Sequence, residues 1–238
     1  MLIGGLQKFS VLDYPGHLSA IVFTQGCNFR CQFCYNPMLV WPIEDGQKKY
    51  QKSHFLLTED DFFAFLERRR GKLDAIVITG GEPTLHSDLP EFIKKIRSFG
   101  FKIKLDTNGT NPQMLTTLLA EQLLDYLAMD FKAPAEKYEA VVGVKADFEK
   151  IKESVKIIMN SGLPYEFRTT VVPGLHSVAD IKAMSETLKG AAKWYLQKFQ
   201  SQPDLVNQSL QGAKSFSEAE LQAMVDAVTD QVGLCQFR

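Results

Sequence analysis

Apolar and polar positions change along the chain in blocks. Residues 18–24 (LSAIVFT) are a continuous, β-branched apolar run, which is the pattern of a strand buried on both faces. Further strand-like runs recur at 74–79, at 101–107, which alternates, and at 124–131, 165–172 and about 192–199. Helix-period stretches separate them. Thr58 precedes Glu59, Asp60 and Asp61, an N-cap followed by acids in the first turn. That helix runs to about residue 70, with Phe62, Phe63, Phe65 and Leu66 on the face read as core. Ser87 or Asp88 opens a helix ending near Phe99 and Gly100. Further helices are predicted at 111–122, at 146–161 before Gly162, at 177–189, and from the Ser217 cap to about 232.

These segments make six βα units in series. Alternating strands and helices predict a parallel sheet with right-handed crossovers. Six units fall short of the eight that close a TIM barrel. The expected α/β fold is therefore a partial, open (βα)6 TIM-like barrel. No Gly-x-Gly-x-x-Gly follows the first strand, so the main dinucleotide signature is missing. The chain reads as a single domain over 1–238. Residues 1–17 are an N-terminal extension, 40–57 a polar insertion, and 200–238 a C-terminal loop and helix.

The distinctive polar residues fall after the strands. A cysteine-rich loop follows the first, and Gly80-Gly81-Glu82-Pro83 follows the second. Asp106 and Asn108 end the third, Asp130 and Lys132 close the fourth, and Arg168 lies on the fifth. In parallel α/β folds the carboxyl ends of the strands are where sites assemble.

Composition narrows the class. The chain has 238 residues, 45% hydrophobic and 23% charged, with a formal net charge of −1. That suits a globular protein and excludes a phosphate-tracking basic surface, so no nucleic-acid partner is expected. No signal-peptide pattern and no membrane-length apolar run is present, and a cytoplasmic location is the expectation. Its cysteines then suggest metal or redox chemistry rather than disulfides.

Three of the four cysteines, Cys27, Cys31 and Cys34, lie within eight residues as C-x3-C-x2-C. A closed structural zinc site takes four ligands, and ordinary iron–sulfur clusters usually take four thiolates. Three thiolates on one loop leave one metal position open for a substrate or cofactor.

The motif with its aromatic residue, C-x3-C-x-F-C, resembles the signature of the radical S-adenosylmethionine (SAM) enzymes. The resemblance implies a [4Fe–4S] cluster on the three thiolates, with SAM chelating the remaining iron. It implies reductive cleavage of SAM to methionine and a 5′-deoxyadenosyl radical. Gly80-Gly81-Glu82-Pro83 matches the family's GGEP element, which binds the SAM amino group. The same resemblance sets Phe33 towards the adenine by its backbone. It sets Asp106 and Asp130 beside the methionyl end or a nearby cation, and Lys132 and Arg168 on ribose or carboxylate, with Asn108 on the same edge. Gln197, Phe199 and Gln200 end the sixth strand as further candidates near the adenine.

The opening Ile3-Gly-Gly-Leu-Gln-Lys-Phe-Ser-Val-Leu-Asp-Tyr-Pro-Gly16, with Phe23-Thr-Gln-Gly-Cys-Asn-Phe-Arg-Cys31, resembles one subgroup over roughly residues 2–200. It is the anaerobic ribonucleoside-triphosphate reductase activating proteins. Tyr35 departs from the His that many relatives carry after the last cysteine. The subgroup implies a glycyl radical protein as macromolecular substrate and reduced flavodoxin or ferredoxin as electron donor. Three alternatives stand beside it. One is a radical SAM enzyme acting on a small molecule. Another is a zinc knuckle completed by His17 or His54. The third is an electron-transfer cluster completed by Cys235. His176, in the loop after Pro173-Gly174, reads as incidental.

Overall fold

The computed structural model describes residues 1–41, 56–202 and 204–238. Eight strands are hydrogen-bonded in chain order. They are β1 (Ile3–Ser10), β2 (Ser19–Thr24), β3 (Ala75–Gly80), β4 (Lys102–Thr107), β5 (Tyr126–Asp130), β6 (Tyr165–Val171), β7 (Trp194–Lys198) and β8 (Cys235–Phe237). Among the described residues no pairing closes β8 onto β1, so the α/β sheet stays open. The chain packs as two compact units. One comprises Met1–Asn28, Met38–Thr107 and Gln113–Leu127; the other comprises Phe29–Pro37, Asn108–Pro112 and Ala128–Arg238.

In the first unit β1 runs antiparallel to β2, while β2, β3 and β4 run parallel. Ala20, Val22, Ile76 and Ile78 are buried on one face of β2 and β3. Ile21, Ala75 and Val77 pack with Tyr14, Tyr126 and Phe23 on the other. Burial on both faces explains why these strands read as continuous apolar runs. Helix α1 (Pro37–Val40) follows the cysteine loop. Helix α2 (Glu59–Arg69) starts where Thr58 Oγ1 accepts the Asp61 N–H at 3.1 Å. Its Phe62 and Phe63 meet Phe92 of α3 (Leu89–Ser98) with ring centroids 5.4 and 5.5 Å apart. Those phenylalanines are core, as the sequence implies. Helix α4 (Pro112–Ala120) precedes β5.

In the second unit β6, β7 and β8 run parallel. Helix α5 (Tyr138–Val142) ends at Gly143, whose φ of 73° is left-handed, and an added Cβ there would meet Arg30 O at 2.6 Å. Asp147 caps α6 (Phe148–Met159), Ser177 caps α7 (Val178–Thr187), and Ser217 with Glu220 forms a capping box on α8 (Glu218–Asp226). The buried Trp194 indole N–H donates to Thr169 Oγ1 at 2.9 Å, and that hydroxyl donates to the Phe131 carbonyl at 2.7 Å.

The six expected strands stand at β2 to β7. The pattern missed β1 and β8. In β1, Gly4 and Gly5 interrupt the alternation and the ladder with β2 is irregular. Residues 235–237 are too short to read as a strand. They pair with β7 only through tertiary contacts, and Arg238, just beyond them, forms an ion pair with Glu166 of β6 at 3.0 Å. The last helix ends at Asp226 rather than near 232. Most of the expected insertion at 40–57 lies outside the described residues.

Candidate functional site

In the first unit the chain leaves β3 through a turn that only glycine permits. Gly80 has φ of 124°, and a Cβ there would fall 2.2 Å from the Thr24 nitrogen. A Cβ on Gly81 would fall 1.9 Å from the Gly26 carbonyl oxygen. The absence of both side chains lets Gly81 N–H donate to Thr24 O at 2.9 Å and Glu82 N–H to Gly26 O at 2.8 Å. Paired glycines therefore seat the turn directly against the backbone that leads into Cys27. Gly26 and Cys27 in turn donate to Leu39 O and Val40 O, at 2.8 and 3.1 Å.

Glu82 is 1% exposed. Its Oε1 accepts from Thr84 N–H at 3.0 Å, Thr84 Oγ1 at 2.5 Å and Thr107 Oγ1 at 2.8 Å. It thereby caps the short 3-10 turn that begins at the buried Pro83. Three donors on one oxygen lock its rotamer. Neither Thr84 nor Thr107 is signalled by the motif. Beside this turn, the Gln25 amide donates to Met38 O and Trp41 O at 2.9 and 2.8 Å. Its Oε1 and the Thr24 hydroxyl are buried with no partner among the described residues.

Asp106 lies next to last in β4, with its Oδ1 3.1 Å from Lys104 Nζ. Lys104 is buried and also donates to the Asp13 carbonyl at 2.6 Å. The carboxylate thus has a resident ammonium two residues away on the same strand, a partner that sequence reasoning overlooked.

In the second unit Cys31, Phe33 and Cys34 form a tight turn in which Cys34 N–H donates to Cys31 O at 3.1 Å. The segment after β7 is bonded to this turn. Val206 N–H donates to Cys34 O at 3.3 Å, Asn207 N–H to Gln32 O at 3.0 Å, and Gln200 N–H to the Tyr35 hydroxyl at 2.8 Å. Tyr35 also stacks on Phe199, with centroids 6.3 Å apart. Gln200 and Phe199 therefore anchor the cysteine loop. Burial pushes the Cys31 thiol up to about 11, with Lys132 pulling the other way, and it raises the Cys34 thiol as well.

Asp130, at the end of β5, accepts from Arg168 Nε at 2.8 Å and Lys132 Nζ at 3.0 Å. Burial would raise its carboxyl, but Arg168 and Lys132 override this and hold it well below the usual carboxylate range. Burial would likewise lower Lys132, but Asp130, then Cys31 and Cys34, keep it above the usual lysine value. The Lys132 ammonium lies 5.9 Å from the Phe33 ring centroid. So five expected site residues of this unit, Cys31, Cys34, Asp130, Lys132 and Arg168, form one electrostatic group, of which Lys132 faces the Phe33 ring. Asn108 behaves differently. Its Oδ1 accepts from Thr110 N–H at 3.0 Å and Thr110 Oγ1 at 2.7 Å, a local Asx turn.

Two of the alternative fourth ligands, His17 and Cys235, lie among the described residues. His17 precedes β2, against Tyr14 and beside Asp74, whereas Cys27 follows β2. Six strand residues, roughly 20 Å, separate the two ends. His54 lies outside the described residues. Among the described residues no three His, Cys, Asp or Glu side chains gather tightly enough to grip a single ion. Cys235 pairs with Trp194 at the start of β7, while the cysteine loop is bonded to residues beyond the end of β7.

A model of the radical SAM superfamily matches residues 21–186. The chain belongs to the radical SAM superfamily. It is 35% identical over 205 residues to a Methanocaldococcus jannaschii protein named, by inference, a glycyl-radical enzyme activating enzyme; the match covers 84% of this chain and 80% of that one. It is 30% identical over 160 residues to a Thermococcus kodakarensis protein named, by inference, a GTP 3′,8-cyclase, covering 66% of this chain and 48% of that one. Among solved structures, a domain of the pyruvate-formate lyase-activating enzyme of Bacteroides vulgatus superposes with a TM-score of 0.55 at 19% identity. It covers 69% of this chain and 99% of its own. Streptococcus suis SuiB bound to S-adenosylmethionine superposes with a TM-score of 0.64 at 13% identity, covering 90% and 48%. Both likenesses carry the fold.

Radical SAM proteins use a [4Fe–4S] cluster and SAM. The residues present fit both groups. Among the described residues none of the three motif cysteines is in a disulfide. The unpartnered Thr24 and Gln25 oxygens lie in the segment against which the glycine turn is seated. No helix among the described residues is long and apolar enough to cross a membrane.

Proposed function

We propose that this chain is a glycyl-radical enzyme activase, acting on an anaerobic ribonucleotide reductase or a related glycyl radical protein. The observation that carries this reading is the 35% identity spanning 84% of this chain and 80% of a relative with that assigned name. Cys27, Cys31 and Cys34 hold the cluster. The turn Gly80-Gly81-Glu82-Pro83 receives the SAM amino group, with Glu82 opposing its charge. Phe33 meets the adenine by its backbone, and Lys132 and Arg168 meet ribose or carboxylate. Asp130 orients those two cations by bonding both. Asp106 holds its place through Lys104, and Asn108 shapes its own loop at that edge.

When bound, the cluster and SAM supply a one-electron cleavage of the sulfonium bond, yielding a species that takes one hydrogen atom from a partner glycine Cα. The electron comes from reduced flavodoxin or ferredoxin. Anaerobic mixing of the reconstituted chain with SAM, reductant and a glycyl radical protein should give a partner-centred EPR doublet. SAM cleavage with no doublet on any such partner would overturn the activase reading.

A small-molecule reaction is the second reading, supported by the 30% identity to the cyclase-named relative. The chain spans about half of that relative's length (48%). Turnover of a purine nucleotide without any protein partner would favour it.

A further inference from the structure

His176 follows the turn Pro173-Gly174, where Gly174 has φ of 84°. The turn folds back on its own strand: Leu175 and His176 N–H both donate to Val172 O, at 3.1 and 2.9 Å. This brings a 4% exposed imidazole beside the ends of β5 and β6. Its Nδ1 accepts the Val172 N–H at 3.1 Å, which requires that nitrogen to be unprotonated. Nε2 therefore carries the proton and donates to the Lys132 carbonyl at 2.8 Å.

The bond falls just past the sheet. Phe131 N–H donates to Arg168 O at 2.8 Å, and the Phe131 carbonyl accepts from Thr169 Oγ1. One residue further on, the imidazole holds the Lys132 carbonyl in place of a strand. The same ring meets Phe33 edge-on, with centroids 6.3 Å apart and planes at 68°. Lys132 Nζ faces that Phe33 ring. Asp180 and Lys137, themselves paired at 2.8 Å, are the charged groups nearest the imidazole from α7 and the segment before α5.

We propose that His176 is a positioning residue: as the Nε2–H tautomer it fixes Lys132 and Phe33 relative to the cysteine turn, and thereby sets the affinity for SAM. The proposal rests on the assignment of Lys132 and Phe33 to SAM made above. The imidazole acts through Lys132 and Phe33.

The variants separate the two ring nitrogens. His176→Asn can keep the acceptor for Val172 N–H but not the donor to Lys132 O. His176→Gln can place an amide donor near the Nε2 position. With the reconstituted chain and dithionite as reductant, His176→Asn should raise the SAM KM about tenfold with a far smaller change in kcat, the usual scale for such supporting contacts. His176→Gln should recover most of it. In a Lys132→Gln background, His176→Asn should add nothing further. In the cluster-free chain, imidazole 15N shifts should report the Nε2–H tautomer. Equal KM in Asn, Gln and wild-type proteins, additive effects with Lys132→Gln, or an Nδ1–H tautomer would each overturn the proposal. If Lys132→Gln itself leaves KM unchanged, the assignment of Lys132 to SAM fails and the proposal fails with it. A raised KM there beside an unchanged one in His176→Asn defeats the proposal alone.

Discussion

Arg168 Nε donates to Asp130 Oδ1 across 2.8 Å, tying the middle of β6 to the last residue of β5. Lys132 takes the other carboxylate oxygen at 3.0 Å. One acid thus neutralises and orients two cations, of which 14% and 13% of the side chains are exposed. Two such cations would repel without it.

Asp130→Asn keeps the shape and removes the charge. Breaking a buried ion pair costs about 3–5 kcal/mol. The Asp130 side chain is 31% exposed, so the expected loss is nearer 2–3 kcal/mol in that scale. Urea unfolding of the cluster-free chain measures it. A change below about 0.5 kcal/mol, the level of an ordinary surface substitution, would contradict the pairing.

The same residue fixes a pH dependence. Its folded pKa lies below the unfolded value of about 3.9. The pairing therefore contributes fully above pH ~4 and is lost as pH falls through the folded value. Wild-type stability should fall more steeply below pH ~4 than that of Asp130→Asn, and the two curves should converge in acid. Parallel curves would show that the carboxylate is not paired.

Gly81→Ala places a methyl 1.9 Å from the Gly26 carbonyl, where only backbone could yield. About 3 kcal/mol or more of destabilisation is expected from such overpacking, with loss of SAM binding. Gly100→Ala is the control: its φ is 91°, but nothing lies within 4 Å of the added Cβ. It should carry only backbone strain of about 1 kcal/mol and bind SAM normally.

Thr107→Val removes a hydroxyl that donates to the buried Glu82 carboxylate at 2.8 Å. A hydrogen bond to a charged group is worth about 1.5–3 kcal/mol. Thr107→Ser should restore most of that loss. Thermal melts of the three proteins would decide, and equal melting points would remove Thr107 from the Glu82 network.

Cys235→Ser should leave the iron content after anaerobic reconstitution unchanged, because Cys235 sits at the starting end of β7. Serine at Cys27, Cys31 or Cys34 should each reduce it sharply. Iron analysis and the visible absorption band are the readouts. Loss of iron in the Cys235 variant would reinstate a four-cysteine centre.

Much was legible along the chain because it is local. The runs that became β2, β3 and β5 bury both faces, so they are apolar without tertiary detail. Thr58, Asp147, Ser177 and Ser217 cap helices within three residues of themselves. The cysteine spacing and the glycine pair are likewise short-range signals. Lys104 beside Asp106 and Thr107 on Glu82 were not legible. Each is an unremarkable residue type whose role depends on where a strand ends.

The sequence by itself determined the six βα units, the three-thiol loop and the position of the Gly80-Gly81 turn after a strand, since side-chain chemistry and turn preference act at fixed spacing. The close approach that makes both glycines necessary, by contrast, is to Thr24 and Gly26, far along the chain. Tertiary structure alone decided the partners. Gln200 bonds Tyr35 across 165 positions, and His176 reaches Lys132 across 44. Such contacts depend on which strand ends come together, and that register leaves no periodic trace in the chain. It is also why His176 read as incidental: a lone loop histidine takes its meaning from the carbonyl and the ring it meets.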